Sequence, residues 1–165
     1  MTATTGKATI RRATERDLDA LVALRVALFR ETGGVPDEDP LAAFTAATRC
    51  YLADAVPAGD FVSFVAEADG RVVSASGLIF FRRAPTARNL TGRDAYVLNM
   101  YTVPEWRGRG LATALVERIL EFVRDETDCP RVFLNAEEQA RPIYARAGFA
   151  AEENYMALWV DGGDR

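Results

Sequence analysis

The chain has 165 residues, 49% of them apolar, and a formal net charge of −4. That length suits one domain with a single sizeable core, and the acidic balance argues against nucleic acid as a bulk electrostatic partner. The chain has no histidine, which removes Ser-His-Asp and Cys-His catalysis and every zinc site that needs imidazole, and leaves proton transfer to Tyr, Asp, Glu, Cys or water.

Met1 to Lys7 carries no apolar stretch behind its charge and reads as a short tail rather than an export signal. Ala8 to Arg12 is β-like. A helix then starts at Thr14 or Asp17, with Leu18, Leu21, Val22, Leu24, Leu28 and Phe29 at helical spacing. Thr32 to Pro40 is a loop on Gly and Pro grounds, and Leu41 to Asp54 a second helix. Phe61 to Glu67 and Arg71 to Phe81 form a hairpin about Asp69-Gly70. A polar linker, Arg82 to Arg93, leads to a nearly all-apolar central strand, Ala95 to Val103. The next helix opens at Leu111 and ends between Asp125 and Thr127. Arg131 to Ala136 is a short strand. Glu138 to Ala147 is a helix with Pro142 in its first turns, closed by Gly148. Tyr155 to Val160 is a last strand before the tail, Asp161 to Arg165. No run of eighteen apolar residues spans a membrane, and no linker is long enough to separate two domains. Cys50 and Cys129 stand far apart in no Cys-x-x-Cys pattern, so free thiols and a cytoplasmic location are expected.

The richest stretch is Val103-Pro104-Glu105-Trp106-Arg107-Gly108-Arg109-Gly110-Leu111-Ala112, followed by Thr113. It lies between a strand and a helix, an order that leaves backbone N–H groups free at a helix N-terminus to hold an anion. Gly108 and Gly110 let that backbone approach a ligand, and Arg107 and Arg109 add positive charge to the same turn. The physical reading is a phosphate or pyrophosphate site.

The stretch resembles the acyl-CoA-binding signature of the GNAT N-acetyltransferase superfamily, Arg/Gln-x-x-Gly-x-Gly/Ala, here Arg107 to Ala112, with a lead-in read as Val103-Pro104-Glu105. A second segment, Asn135 to Phe149, is similar to the family pattern Asn-x-x-Ala-x-x-x-Tyr-x-x-x-Gly-Phe through Ala140, Tyr144, Gly148 and Phe149. The asparagine position of that pattern is Glu137, with Asn135 two residues earlier as its substitute. The resemblance covers residues 8–160 as one N-acetyltransferase domain. It implies an α/β fold: a GNAT-like mixed, mostly antiparallel central sheet with a splayed parallel strand pair and helices on both faces.

The resemblance also implies roles. Arg107, Gly108, Arg109, Gly110, Leu111, Ala112 and Thr113 would hold acetyl-CoA. The Tyr101 N–H would polarise the thioester, Val103 would pair with the pantetheine arm, and Asn135 would contact it. Tyr144 would protonate the leaving thiolate, its ring packing against Phe149 being the competing structural role. Asn99 is a structural amide of the strand or positions a water or the amine. The glutamate that many relatives carry six residues before the lead-in valine is Val97 here, so the base is left open among Glu67, Asp94 and a water on Asn99. The activity implied is acetyl transfer from acetyl-CoA to a primary amine by direct attack in a ternary complex; the alternative is a non-catalytic acyl-CoA-binding regulatory module. A small-molecule or peptide amine is the expected partner, with neither nucleic acid nor membrane, no metal, and a homodimer left open. Asp37-Glu38-Asp39 and Glu152-Glu153 read as solvated loops, the first also a candidate acceptor lining favouring a cationic amine. Phe44, Phe80, Phe81 and Trp106 read as core or loop packing.

Overall fold

A computed structural model describes residues 6–34 and 38–152. Within them the chain runs β1 (Thr9–Arg12), α1 (Leu18–Glu31), α2 (Glu38–Ala58), β2 (Phe61–Ala68), β3 (Arg71–Arg82), β4 (Arg93–Thr102), α3 (Leu111–Glu126), β5 (Arg131–Leu134) and α4 (Arg141–Arg146). The strands lie in the order β1-β2-β3-β4-β5. The first four are antiparallel neighbours, and β4 and β5 are parallel.

Local chemistry explains the elements. Asp69 and Gly70 both take positive φ, 51° and 72°, as a two-residue hairpin turn between β2 and β3 requires. At the start of α1 the Asp17 carboxylate accepts the Thr14 backbone N–H at 2.8 Å and two Arg11 nitrogens at 2.8 Å each. Leu115, Ile119, Phe122 and Val123 share one face of α3 and pack on Phe64, Leu78 and Val97. Leu21, Val22 and Leu24 of α1 and Leu52 of α2 pack on Phe61, Val65 and Tyr101 on the opposite face of the sheet. Helices therefore cover both faces, as expected. Trp106 is 6% exposed against Ala66, Ala68 and Val73, which makes it a core residue.

Several boundaries differ from the sequence reading. The second helix begins at Glu38 rather than Leu41, because Pro40 falls in its first turn, where its missing N–H costs nothing, and it continues to Ala58. The strand expected over Ala95–Val103 runs Arg93–Thr102 and lies between β3 and β5 among the described residues. β5 stops at Leu134, and the last helix divides into a 3-10 turn, Glu138–Ala140, and α4, with Pro142 in the first turn of α4. The expected strand Tyr155–Val160, the tail after it, Glu153 and the side chains of Asp37, Glu38 and Asp39 lie outside the described residues.

Strand β4 is irregular in two places. Ala75 pairs with Tyr101 and Gly77 with Leu98, so Asn99 and Met100 together oppose the single residue Ser76. This is a β-bulge, and Asn99 takes φ 56° there. The pairing of β4 with β5 also ends early, at Val97 with Leu134, while β4 continues to Thr102. Beyond Val97 the strand has an open edge among the described residues.

Candidate active site

The open edge decides which backbone groups are on offer. The Val103 N–H is donated to the Val73 carbonyl at 3.0 Å, and the Val103 carbonyl accepts from the Trp106 N–H at 3.0 Å. An antiparallel ladder alternates, so Tyr101, opposite Ala75, also faces β3; its carbonyl accepts the Ser74 hydroxyl at 2.9 Å. The N–H groups of Tyr101 and Val103 are therefore turned away from the open edge, contrary to their expected roles. Thr102 faces outward, its carbonyl accepting Arg107 Nε at 2.9 Å. The same alternation turns Met100 outward.

The glycine turn stands at the end of that edge. Gly108 and Gly110 take φ 71° and 78°, and a Cβ on either would meet nothing within 4 Å. Gly110 is the N-cap of α3; with no side chain it caps no amide, and the first turn holds no acidic residue. The first amides of α3, from Leu111 through Thr113, have no carbonyl before them within the helix and stand at the positive end of its dipole. The arginines are less simply placed. Arg107 reaches back over β4, with Nη2 2.7 Å from Glu31 Oε2. Arg109 lies over the Trp106 ring, 4.5 Å from its centroid, and donates to the Glu105 carbonyl at 3.3 Å.

Tyr144, on α4, is 8% exposed, and its ring meets Phe149 edge-on with centroids 5.9 Å apart. Burial, with the nearby Tyr96, holds its hydroxyl above the usual tyrosine range, so it stays a proton donor. The competing packing role is thus real, and it coexists with a hydroxyl that no described residue engages. Asn135 and Glu137 are both exposed just past the end of β5.

On the α1 and α2 side of the bulge is a pocket of about 270 Å³ lined by Arg25, Tyr51, Leu52, Phe61, Leu98 and Asn99. Arg25 Nη1 donates to Asn99 Oδ1, which gives the half-buried amide its partner. The two carboxylate base candidates do not line this pocket. Glu67 accepts from Arg11 Nε at 2.7 Å. Asp94 is 1% exposed at the other end of β4, bonded to Asn89 Nδ2 at 3.0 Å, with Arg83 Nε 2.7 Å from its second oxygen but not aligned as a hydrogen bond. Asn99 lies five positions beyond Asp94, ~16 Å along a strand. Glu31 is the carboxylate that the sequence reading missed. It accepts the Tyr101 hydroxyl at 3.0 Å, and Arg107 with Tyr101 holds it below the usual carboxylate range. Its position at the end of α1 carries no motif; only the packing of α1 on β4 brings it there. Among the described residues no group of three His, Cys, Asp or Glu clusters to hold a metal.

An outward strand edge runs into a glycine turn that opens a helix. The sequence from 19 to 149 matches the model of the Acetyltransferase (GNAT) family. The chain belongs to the GNAT acetyltransferases. It is 30% identical over 139 residues to a probable glucosamine 6-phosphate N-acetyltransferase 2 of Oryza sativa subsp. japonica, covering 81% of this chain and 78% of that protein. Its fold is similar to the crystal structure of a predicted acetyltransferase with acetyl-CoA from Clostridium acetobutylicum, with a TM-score of 0.82, 26% identity, and coverage of 96% of this chain and 100% of that one. It is equally similar to a GCN5-related N-acetyltransferase from Ralstonia eutropha JMP134, with a TM-score of 0.82, 28% identity, and coverage of 94% and 100%. The chain is thus a GNAT N-acetyltransferase, and its mixed sheet with the parallel β4–β5 pair is the fold of the family.

Proposed function

We propose that this GNAT enzyme moves the acetyl group of acetyl-CoA onto a primary amine by direct attack in a ternary complex. The observation that carries the reading is the edge of β4, unpaired among the described residues, running into the Gly108–Gly110 turn. Edge amides and helix-start amides together match a ligand with an amide-bearing arm and a pyrophosphate. The residues present fit acetyl-CoA: the turn from Arg107 to Thr113 offers backbone donors, with no side chain over them at Gly108 and Gly110.

The outward orientation of Thr102 and Met100 moves two backbone roles by one residue. Thr102 pairs with the pantetheine arm in place of Val103, and the Met100 N–H polarises the thioester carbonyl in place of Tyr101. An N–H aimed at the developing oxyanion lowers the barrier to the tetrahedral intermediate. The amine lone pair attacks the thioester carbon, the C–S bond breaks, and the thiolate takes its proton from Tyr144. The proton lost by the amine passes to water, since no carboxylate among the described residues lines the pocket at Asn99. Arg107 and Glu31 brace the edge by tying β4 to α1. Asn135, exposed just past β5, contacts the pantetheine arm in this reading. A small-molecule amine in the cytoplasm completes the proposal; the two cysteines are free thiols, as a reducing compartment would leave them.

The test is thiol release from acetyl-CoA with a panel of amines. Release that needs an amine supports the reading. Tight CoA binding without release on any amine would overturn it and leave a non-catalytic binding module.

A further inference from the structure

Arg25 is charged, half-buried and without a carboxylate partner among the described residues. That sets it apart from Arg11, Arg49, Arg83, Arg93, Arg107, Arg118 and Arg131, which pair with acids. Its guanidinium lies 4.6 Å from the Phe29 ring centroid and 5.5 Å from that of Phe44. The two rings stand 4.8 Å apart and so replace water on one side of it, and burial accordingly lowers its pKa. A guanidinium nonetheless keeps its proton in a protein, and it has five N–H donors in a fixed fork. One is spent on Asn99. No acid among the described residues lines the pocket; Tyr51, Leu52, Phe61, Leu98 and Asn99 supply an aromatic and apolar wall with two polar tips. A desolvated cation with unused donors at a pocket wall is costly unless an anion arrives to meet it.

We propose that Arg25 is the anion-recognition residue of the acceptor site, so the acceptor is an amine that also bears a carboxylate or phosphate. The inference rests on the acetyl-transfer reading and deepens it. The planar fork suits either oxyanion, in a bidentate geometry that an ammonium could not reproduce. Asn99 joins the two ends of the site. Its left-handed backbone at the bulge turns its side chain to Arg25, so the anion binds within a few ångströms of the strand that presents the thioester. The acceptor is therefore compact, with its amine and anion close together. This choice departs from the cationic acceptor that the acidic run at Asp37-Glu38-Asp39 favours, because Arg25 would repel a second positive charge.

The experiment uses matched acceptors that differ only in the anion: an amino acid against its amide, and an amino-sugar phosphate against the free amino sugar. Thiol release gives kcat/KM for each. The wild-type enzyme should lose tenfold or more when the anion is removed from the better series, and the two series separate a carboxylate from a phosphate source. Arg25→Gln should erase that preference, and Arg25→Lys should restore only part of it, with acetyl-CoA affinity by calorimetry within about twofold of wild type. Equal rates for charged and neutral members of both series would overturn the inference and leave acetyl transfer standing. Release with no acceptor at all would overturn both. The preference is read on the wild-type chain, so the inference stays testable even where a variant fails to fold.

Discussion

Gly110→Asp tests the glycine turn by separating folding from binding. Gly110 is the N-cap of α3 at φ 78°, and a Cβ there meets nothing within 4 Å. The substitution thus causes no clash. Its structural cost is the left-handed backbone, about 1–2 kcal/mol for an ordinary side chain and less for aspartate, which tolerates that region. Against this, a carboxylate at a helix N-terminus gains about 0.3–1 kcal/mol from the dipole. The terms nearly cancel, and Tm should move by no more than about 4 °C. A bound pyrophosphate meets the opposite situation. A carboxylate ~4 Å from a phosphate charge repels it by about 1 kcal/mol in water and about 4 kcal/mol at the dielectric of a protein surface, roughly 5- to 1,000-fold in affinity. Gly110 is exposed, so the lower part of that range applies, about 10- to 100-fold. Calorimetric titration of CoA into wild type, Gly110→Ala and Gly110→Asp measures it, the alanine variant isolating the backbone cost. An aspartate variant with unchanged Tm that binds CoA as tightly as the alanine variant would refute the placement of the pyrophosphate.

Tyr144→Phe should lower kcat by ~10²–10⁴-fold with little change in CoA affinity, as expected of a general acid; wild-type turnover under chemistry-limited conditions would remove Tyr144 from the mechanism. Because burial raises the Tyr144 pKa, the donor form persists across the alkaline range, and no falling limb from this group is expected below pH ~10. The rising limb should follow the acceptor: two amines of different pKa should give inflections that move with the amine, whereas an inflection fixed on the enzyme and removed by Glu31→Gln would name a base. Asp17→Asn should destabilise the fold by about 1.5 kcal/mol at neutral pH, the lower end for charged hydrogen bonds because Arg11 is 37% exposed. Arg11 holds the Asp17 pKa down, so this stabilisation is complete above the ordinary aspartate range and is lost as pH falls through the depressed value. Urea unfolding should accordingly show the gap between wild type and Asp17→Asn closing as the pH falls below the ordinary aspartate range; a gap that persists in acid would assign the effect to packing.

Local signals were legible wherever the chain solves its problem with neighbours in sequence. The Asp69-Gly70 turn, the α3 stripe and the glycine turn all rest on residues a few positions apart, and each occurs where the sequence placed it. Pro40 misled because a proline closes a helix from one side and opens it from the other, and only the flanking backbone decides. The lead-in anchored on Val103 misled by one residue, because strand orientation is set by the partner: it is the bond from the Val103 N–H to Val73 that turns Val103 inward. Arg25 and Glu31 carry no local pattern at all. Each sits on a helix whose apolar stripe is all that periodicity reports, and each meets β4 across 74 and 70 positions of sequence.

The extra residue in β4 has an effect on parity. Ahead of it Ala95 and Val97 pack toward α3, and Leu98 toward α1 and α2; after it Met100 packs toward α3, and Tyr101 toward α1 and α2. Odd and even positions thus exchange layers partway along one strand. In an unbroken ladder Tyr101 would join Val97 in the α3 layer, out of reach of Glu31. Removing a single residue at 99 or 100 would instead restore simple alternation with Leu98 still opposite Gly77 and Tyr101 still opposite Ala75: both layers would survive, and what would be lost is the left-handed step that carries Asn99 to Arg25.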